Sequence, residues 1–400
     1  MRRLRDIACM LLIATVAGCA TPITRVAVPA QLASEAHLPT MSGVRVWGDA
    51  GEEAARGFIN AERETFRKKF LARPKVNGET VSHLLALSGG ADDGAFGAGL
   101  LIGWSERGTR PDFDLVTGIS AGALIAPFAF LGKEYDRQLS EIFTLHDGKE
   151  IYRANLVAGV FGGPSVADNE PLARLIAAYV DQRLLKRVAE ERAKGRLLIV
   201  GTTNIDAQRP VFWDMGRIAM RGDKAAIELF RKVLLASAAL PGIFPPVQID
   251  VHVDKQRFTE MHVDGGPTRQ IFLTPGNFRF TDLDRATGIK VRRHLWVIRN
   301  AKIEPEYLAV KGTALAIGER SLETLTKHQG IGDLRRMYEK SVADNLDFNL
   351  VAVPVDFHAP RPLPFDRGYM QALYKRGHEL GRTGNPWMKG LPAAPVGNLQ

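Results

Sequence analysis

Apolar and polar positions alternate along the chain in a way that predicts helices interleaved with short buried strands. Residues 52–71 are rich in charge but carry apolar side chains at helical spacing, which predicts a helix. Residues 83–88 form a short apolar run that ends in Gly-Gly, as a buried strand does when it enters a turn. Residues 94–106 return to helical spacing. The same alternation continues downstream.

The next predicted elements repeat this order of strand and helix. Strands are expected at 114–117, 196–201, 259–263 and 294–299, and helices at 121–131 and 225–239. Such alternation indicates an α/β fold, a three-layer sandwich with a largely parallel central sheet. Towards the C-terminus we expect helices at 309–327, 333–343 and 369–380, and a strand at 348–355 that joins the same sheet.

Composition narrows the class of protein but does not choose a function. The 400 residues are 45% hydrophobic and 24% charged, which excludes a disordered chain, a fibre and a multi-span membrane protein. The net charge of +9 is spread along the chain, with no basic run and no zinc-finger spacing. We therefore expect no nucleic-acid partner.

The N-terminus has the form of a secretory signal. Arg2, Arg3 and Arg5 precede an apolar run over 7–18 that is shorter than the roughly 20 residues needed to span a bilayer. The run ends in Val-Ala-Gly before Cys19, which resembles the lipobox of bacterial lipoproteins. That resemblance implies cleavage before Cys19, a lipid on its sulfur, and anchoring in the cell envelope, with Ala20 favouring the outer membrane. The alternative is an ordinary signal peptide with an incidental cysteine.

A candidate nucleophile lies at the second strand-to-helix junction. Gly118-Ile119-Ser120-Ala121-Gly122 matches G-x-S-x-G between a predicted strand and a predicted helix, the context of a nucleophile elbow. Such a tight turn exposes the serine hydroxyl at the end of the sheet. The alternative is a glycine-rich turn in which Ser120 only caps the helix.

Two further glycine-rich segments accompany the serine. Residues 88–94 (Ser-Gly-Gly-Ala-Asp-Asp-Gly, ending at Gly94) can direct several backbone N–H groups at one point, as an oxyanion hole requires. The segment has neither Walker nor dinucleotide spacing. Asp264-Gly265-Gly266 follows a predicted strand, where the carboxylate could reach across the sheet edge. Taken alone, the first segment is equally well explained as a turn, and the Asp264 segment is better explained as one.

Together with residues 236–247 (Ala-Ser-Ala-Ala-Leu-Pro-Gly-Ile-Phe-Pro-Pro-Val), these motifs resemble, in the same order, the patatin-like phospholipase family over about residues 83–275. The resemblance implies a catalytic dyad of Ser120 and Asp264 without metal or cofactor. It also implies an oxyanion hole formed by the N–H groups of Gly89, Gly90 and Ala91. Ala91 replaces a family glycine but still has an N–H, so the oxyanion hole is retained if φ at that residue is negative. Asp93 replaces a basic residue, so we expect it to point outward or to tie down the loop.

These observations lead to one domain plan and one function. We expect a signal peptide over 1–18, a tether and helical extension over 19–80, a catalytic domain over 81–280, and a C-terminal part over 281–400 packed on the same domain. The expected function is hydrolysis of membrane-lipid esters through acyl-Ser120, with acyl transfer as a variant. Two alternatives stay open: a non-catalytic lipid-binding lipoprotein, and a hydrolase that depends on His294 or His328. The sequence leaves the oligomeric state open.

Overall fold

The computed structural model describes residues 23–154 and 164–392. Within these ranges the strands are β1 (Arg45–Trp47), β2 (Thr80–Leu87), β3 (Leu115–Gly118), β4 (Arg153–Ala154), β5 (Ala167–Asp168), β6 (Leu197–Asn204), β7 (Arg209–Asp214), β8 (Val247–Val253), β9 (Gln256–Asp264), β10 (Val291–Arg299) and β11 (Asp347–Ala352). The helices are α1 (Glu52–Ala72), α2 (Gly94–Glu106), α3 (Ala121–Leu131), α4 (Asp136–Thr144), α5 (Gly148–Ile151), α6 (Glu170–Tyr179), α7 (Gln182–Ala193), α8 (Met215–Met220), α9 (Lys224–Ser237), α10 (Phe280–Thr287), α11 (Ala314–Ala343) and α12 (Arg367–Thr383).

A nine-stranded sheet organises the molecule. Its main order is β1-β7-β6-β3-β2-β10-β11. Within this order β6, β3, β2, β10 and β11 run parallel to one another. β7 and β1 extend the β6 end antiparallel to their neighbours. β9 also pairs antiparallel with β6, and β8 pairs with β9. The predicted α/β fold with a largely parallel sheet is confirmed.

Helices cover both faces of this sheet and bury it completely at its centre. Leu85 and Leu87 of β2 belong to a core shared with α2, α3, α7, α9 and α12. Leu84 and Ala86, which point to the opposite face, pack with α1, α10 and α11. This two-sided burial explains why β2 reads as a continuous apolar run in the sequence. The result is a three-layer sandwich.

The N-terminal extension is part of the sandwich. Glu62 of α1 forms a buried ion pair with Arg192 at 2.5 Å, and Arg217 contacts the same carboxylate at 2.6 Å. The segment expected to act as a tether lies against the body from residue 23 onward, where Arg25 donates to the backbone oxygen of Thr259. Because separating the buried Glu62 carboxylate from these arginines would leave a charge unpaired, the ion pairs keep α1 packed against the rest of the fold.

One helix differs from the sequence expectation. The stretches predicted at 309–327 and 333–343 are joined in a single helix, α11, which begins only at Ala314. Helix geometry continues through the interval between them, including the glycines at 330 and 332. Gly330 instead allows close packing, since a Cβ there would lie 2.5 Å from Nη2 of Arg299. The glycine therefore serves a contact with β10 and does not end the helix.

Candidate active site

Ser120 occupies a strained elbow between β3 and α3. Its φ of +55° and ψ of −126° are unusual for a residue with a side chain. A Cβ on Gly118 would lie 2.4 Å from the carbonyl oxygen of Gly122, and a Cβ on Gly122 would lie 2.5 Å from that of Leu87. Both motif glycines are therefore required by close backbone approach. The turn has the geometry expected of a nucleophile elbow.

Strand pairing brings Asp264 to this elbow. β3 pairs with β6 as far as Gly118, opposite Val200. Beyond that point β9 takes over the same edge of β6, and Asp264 pairs with Thr202. The backbone N–H of Asp264 donates to the carbonyl of Ala239 at 2.9 Å, which anchors the strand end. The end of β3, which leads into Ser120, and the end of β9, which carries Asp264, therefore meet along one edge of β6.

Asp264 is buried, and its protonation is unusual. Burial raises the pKa of its carboxyl from 3.8 to about 6, opposed by hydrogen bonding from Ser120 and from the N–H of Gly266. That N–H donates to Oδ1 at 2.7 Å. Within residues 23–154 and 164–392, Oδ2 has no partner of standard hydrogen-bond geometry. A buried carboxylate with a free oxygen beside Ser120 is a stronger base than an exposed aspartate.

The glycine-rich loop lies against Ser120, since a Cβ on Gly89 would come within 3.1 Å of the serine Cβ. The expected oxyanion role of Gly89 is wrong, because its N–H donates to the carbonyl of Gln270 at 3.0 Å. In the described part of the chain, the N–H groups of Gly90 and Ala91 form no hydrogen bond. The φ of Ala91 is +50°, so the condition of a negative φ at this position is not met, and the loop turns through a left-handed residue. Gly90 and Ala91 are the candidate oxyanion donors.

Asn300 holds this loop in place, and sequence reasoning did not identify it. Its backbone N–H donates to Oγ of Ser88 and its side-chain amide to the carbonyl of Ser88, both at 2.8 Å. Its Oδ1 accepts from the N–H of Gly97 in α2 at 3.1 Å. No motif precedes it, so only its position at the end of β10 could have suggested this role.

Asp92 and Asp93 tie the loop to the C-terminal part of the chain. Arg361 donates to Asp92 at 2.5 Å, and the hydroxyl of Tyr369 donates to Asp93 at 2.6 Å. Burial raises the pKa of Asp93 to about 6, although the Tyr369 hydrogen bond opposes the rise. Asp93 therefore ties down the loop, one of the two outcomes expected for it.

Ser237 supports the backbone of the elbow through hydrogen bonds. The sequence singled this residue out only as part of the motif over residues 236–247. Its hydroxyl accepts from the N–H of Ser120 at 3.0 Å and donates to the carbonyl of Gly201 at 2.7 Å. Both bonds are buried. The remaining motif glycines permit close approach of neighbouring residues. A Cβ on Gly94 would lie 2.7 Å from Ala121, and a Cβ on Gly265 would lie 2.9 Å from the carbonyl of Gly201. A Cβ on Gly266 would lie 2.8 Å from Gln270.

The histidines weighed as alternatives are engaged elsewhere or exposed. His294 contacts Asp347 at 2.6 Å and stacks on His83. His328 is exposed on α11. His262, two residues before Asp264, contacts Glu260 at 2.9 Å and Thr202 at 3.0 Å. None of the hydrogen bonds in the described residues joins a histidine to Ser120 or Asp264.

An apolar cavity of about 160 Å³ lies between α1 and the sheet. Phe58 and Ala55 of α1 line it on one side, and Phe272 lines it on the other. Phe272 stacks on Phe212 with ring centroids 3.9 Å apart and packs with Ile119, the neighbour of Ser120. Ser120 and Asp264 are not among the residues that line this cavity, and Phe272 is the lining residue that packs with the elbow.

Several sequence expectations lie outside the described residues. These are the signal peptide over 1–18, Cys19 and Ala20. Among the residues described, no helix is both long and apolar enough to cross a membrane. Nor does that part of the chain bring three or more metal-ligating side chains together.

Comparison with known proteins identifies the domain that carries this site. No curated protein sequence matches the chain. Among solved structures, VipD from Legionella pneumophila is 14% identical with a TM-score of 0.34, over 77% of this chain and 68% of that one. Human GIVD cytosolic phospholipase A2, solved with a fluorophosphonate inhibitor, is 11% identical with a TM-score of 0.25, over 79% and 50%. The family model of patatin-like phospholipases matches residues 85–274, a range that contains both Ser120 and Asp264. The chain therefore contains a patatin-like phospholipase domain.

Proposed function

We propose that the protein is a serine lipid acyl hydrolase that cleaves carboxylic esters of membrane lipids. The observation that carries the proposal is the placement of Ser120, on a strained elbow, beside the buried carboxylate of Asp264. The patatin-like domain supports a lipid substrate. The apolar cavity lined by Phe272, which packs with Ile119, is the candidate space for an acyl chain.

In the proposed reaction, Asp264 accepts the hydroxyl proton as Ser120 Oγ attacks the ester carbonyl. The negative charge on the carbonyl oxygen is stabilised by the N–H groups of Gly90 and Ala91; loss of one such donor typically costs about 3–4 kcal/mol of transition-state stabilisation. Collapse of the tetrahedral intermediate releases the alcohol, which takes the proton from Asp264, and leaves acyl-Ser120. Water then attacks acyl-Ser120 while Asp264 accepts its proton, and collapse of the second tetrahedral intermediate releases the fatty acid as Asp264 returns the proton to Ser120 Oγ.

We further propose that the protein is a lipoprotein of a bacterial envelope, anchored through Cys19 and located at the outer membrane. The support is the sequence pattern over residues 1–20. Mass spectrometry of the N-terminal peptide tests this directly. A diacylglyceryl group on Cys19 supports the proposal, and an unmodified cysteine or cleavage at another residue contradicts it.

The catalytic proposal is tested with a fluorophosphonate probe and a soluble short-chain ester. Wild-type protein is expected to label and to turn over the ester, Ser120→Ala to do neither, and Asp264→Ala to lose turnover. Ser34→Ala, which alters an exposed serine far along the chain from the motifs, serves as the control. If folded wild-type protein stays unlabelled and inactive even with phospholipid vesicles, the proposal is wrong and the non-catalytic lipid-binding alternative is favoured.

A further inference from the structure

A strongly apolar and exposed segment follows β10. We call residues 307–318 the apolar tip; they include the last extended residues before α11 and its first turn. Tyr307 is 95% exposed, Leu308 61% and Leu315 83%, and Val310 and Ile317 are also exposed. Exposed leucines continue along the helix at positions 322 and 325. A contiguous apolar surface of this kind marks an interaction site.

Charge is almost excluded from the apolar tip and concentrated at its base. Lys311 is the single charged residue in 307–318. At the base, Lys327 contacts the Glu306 carboxylate at 2.9 Å and donates to the carbonyl of Glu304. Arg320 donates to the carbonyl of Glu306. These bonds fasten the extended segment to α11 and pair the Glu306 carboxylate, whereas Glu319, the residue directly after the tip, is exposed.

The apolar tip belongs to the same edge of the sheet as the candidate active site. It follows the end of β10, where Asn300 is bonded to Ser88 of the glycine-rich loop. Two other exposed apolar residues lie close in sequence to residues that bond with this site. Leu240 follows Ala239, whose carbonyl accepts from Asp264, and Leu363 lies two residues before Phe365, whose N–H donates to Asp92.

We infer that the apolar tip inserts into the surface of a lipid bilayer and holds the active-site edge against it. The inference rests on the proposed function for the choice of lipid as partner. Tyrosine is enriched at the membrane–water interface, and a lysine can extend its ammonium towards anionic headgroups while its methylene groups stay among apolar side chains. A tip with leucines, one tyrosine and one lysine has this composition.

The first test places an environment-sensitive fluorophore on the tip. The full chain with Cys9→Ser and Cys19→Ser carries a single new cysteine, Leu315→Cys, or Val342→Cys as the control. Val342 is exposed at the opposite end of α11. With vesicles of equimolar phosphatidylethanolamine and phosphatidylglycerol, the probe at 315 is expected to shift to the blue and to lose access to iodide, and the probe at 342 to change in neither respect.

Two other results would overturn the inference. One is an equal response at both positions. The other is a blue shift at 315 that depends on protein concentration without vesicles, which would assign the tip to self-association. A shift seen with phosphatidylglycerol but not with phosphatidylcholine vesicles would attribute part of the binding to Lys311. All of these readings are independent of catalysis, so they hold even if no ester is cleaved.

The second test removes the apolar character. Leu308→Glu with Leu315→Glu is expected to weaken vesicle binding at least about tenfold, because two leucines lose their burial in lipid. The ratio of the rate on vesicles to the rate on a soluble ester should fall in parallel, whereas Val342→Glu should leave that ratio unchanged. Unchanged binding in the double variant contradicts the inference. If wild type cleaves neither substrate, the proposed function fails while the binding result still decides the role of the tip.

Discussion

Replacing Asp264 by asparagine is expected to abolish activity and, at neutral pH, to stabilise the fold. Burial raises the pKa of this carboxyl in the folded protein from 3.8 to about 6. Because the folded-state pKa lies above the unfolded one, ionisation favours the unfolded chain. The stability present below about pH 3.8 is lost as the pH rises to about 6, and it stays lost at higher pH.

The size of the effect follows from the two pKa values. Their difference corresponds to about 3 kcal/mol of unfolding free energy at a pH above both. Asparagine has nearly the same shape, and its Oδ1 can still accept from the N–H of Gly266. The Asp264→Asn variant should therefore be more stable than wild type by up to about 3 kcal/mol at about pH 8, and nearly equal to it at about pH 4.

Urea denaturation of both proteins at these pH values measures the difference. Asp254→Asn, an exposed position in the β8–β9 turn, is the matched control and should show no comparable dependence on pH. In parallel, kcat/KM of the wild type should rise with an apparent pKa of about 6, since the base must be ionised. A stability difference that does not change with pH, or a destabilised Asp264→Asn at about pH 8, would refute the reasoning.

Three further predictions concern the serine elbow, the N-terminal extension and the apolar cavity. Ser237→Ala leaves the buried N–H of Ser120 without its acceptor and should lower both kcat and the free energy of unfolding, the latter by about 1–3 kcal/mol; wild-type values of both would contradict the role assigned to it. Glu62→Gln breaks the buried pair with Arg192 and should destabilise the domain by about 3–5 kcal/mol in urea, whereas a true tether would tolerate it. Ala55→Phe should fill the cavity and lower the rate ratio of long to short acyl esters; an unchanged ratio would place the acyl chain elsewhere.

Periodicity was sufficient to predict the elements nearest the chemistry. The helices expected at 94–106 and 121–131 have the same bounds as α2 and α3. The glycine-rich turns that precede both helices mark where they begin. The motif spacing also identified Ser120 and Asp264 as candidates. Their proximity depends on β9 replacing β3 along β6, a pairing between distant segments that no local pattern encodes.

What could not be predicted depends on orientation and on distant contacts. The N–H of Gly89 is taken by Gln270, a residue about 180 positions away. Asn300 is an isolated polar residue without motif or period, and its role exists only because β10 ends beside the glycine-rich loop. The sequence predicted two helices where α11 is continuous, and Gly330 within it accommodates Arg299 of another element. Sequence patterns predict local helix, strand and turn preferences, but they do not predict contacts between residues that are distant in the sequence.

The position of β10 inside the sheet has a consequence for how the protein is made. β2 meets β3 soon after synthesis, but its other edge waits for β10, which begins about 210 residues later. At a synthesis rate of roughly 5–20 residues per second, that apolar edge stays unpaired for about 10–40 s. An open edge of this kind invites pairing with other chains. A fragment that ends at residue 274 would lack β10 and would keep this edge of β2 open permanently. The sheet that carries the candidate active site therefore needs the late part of the chain to remain soluble.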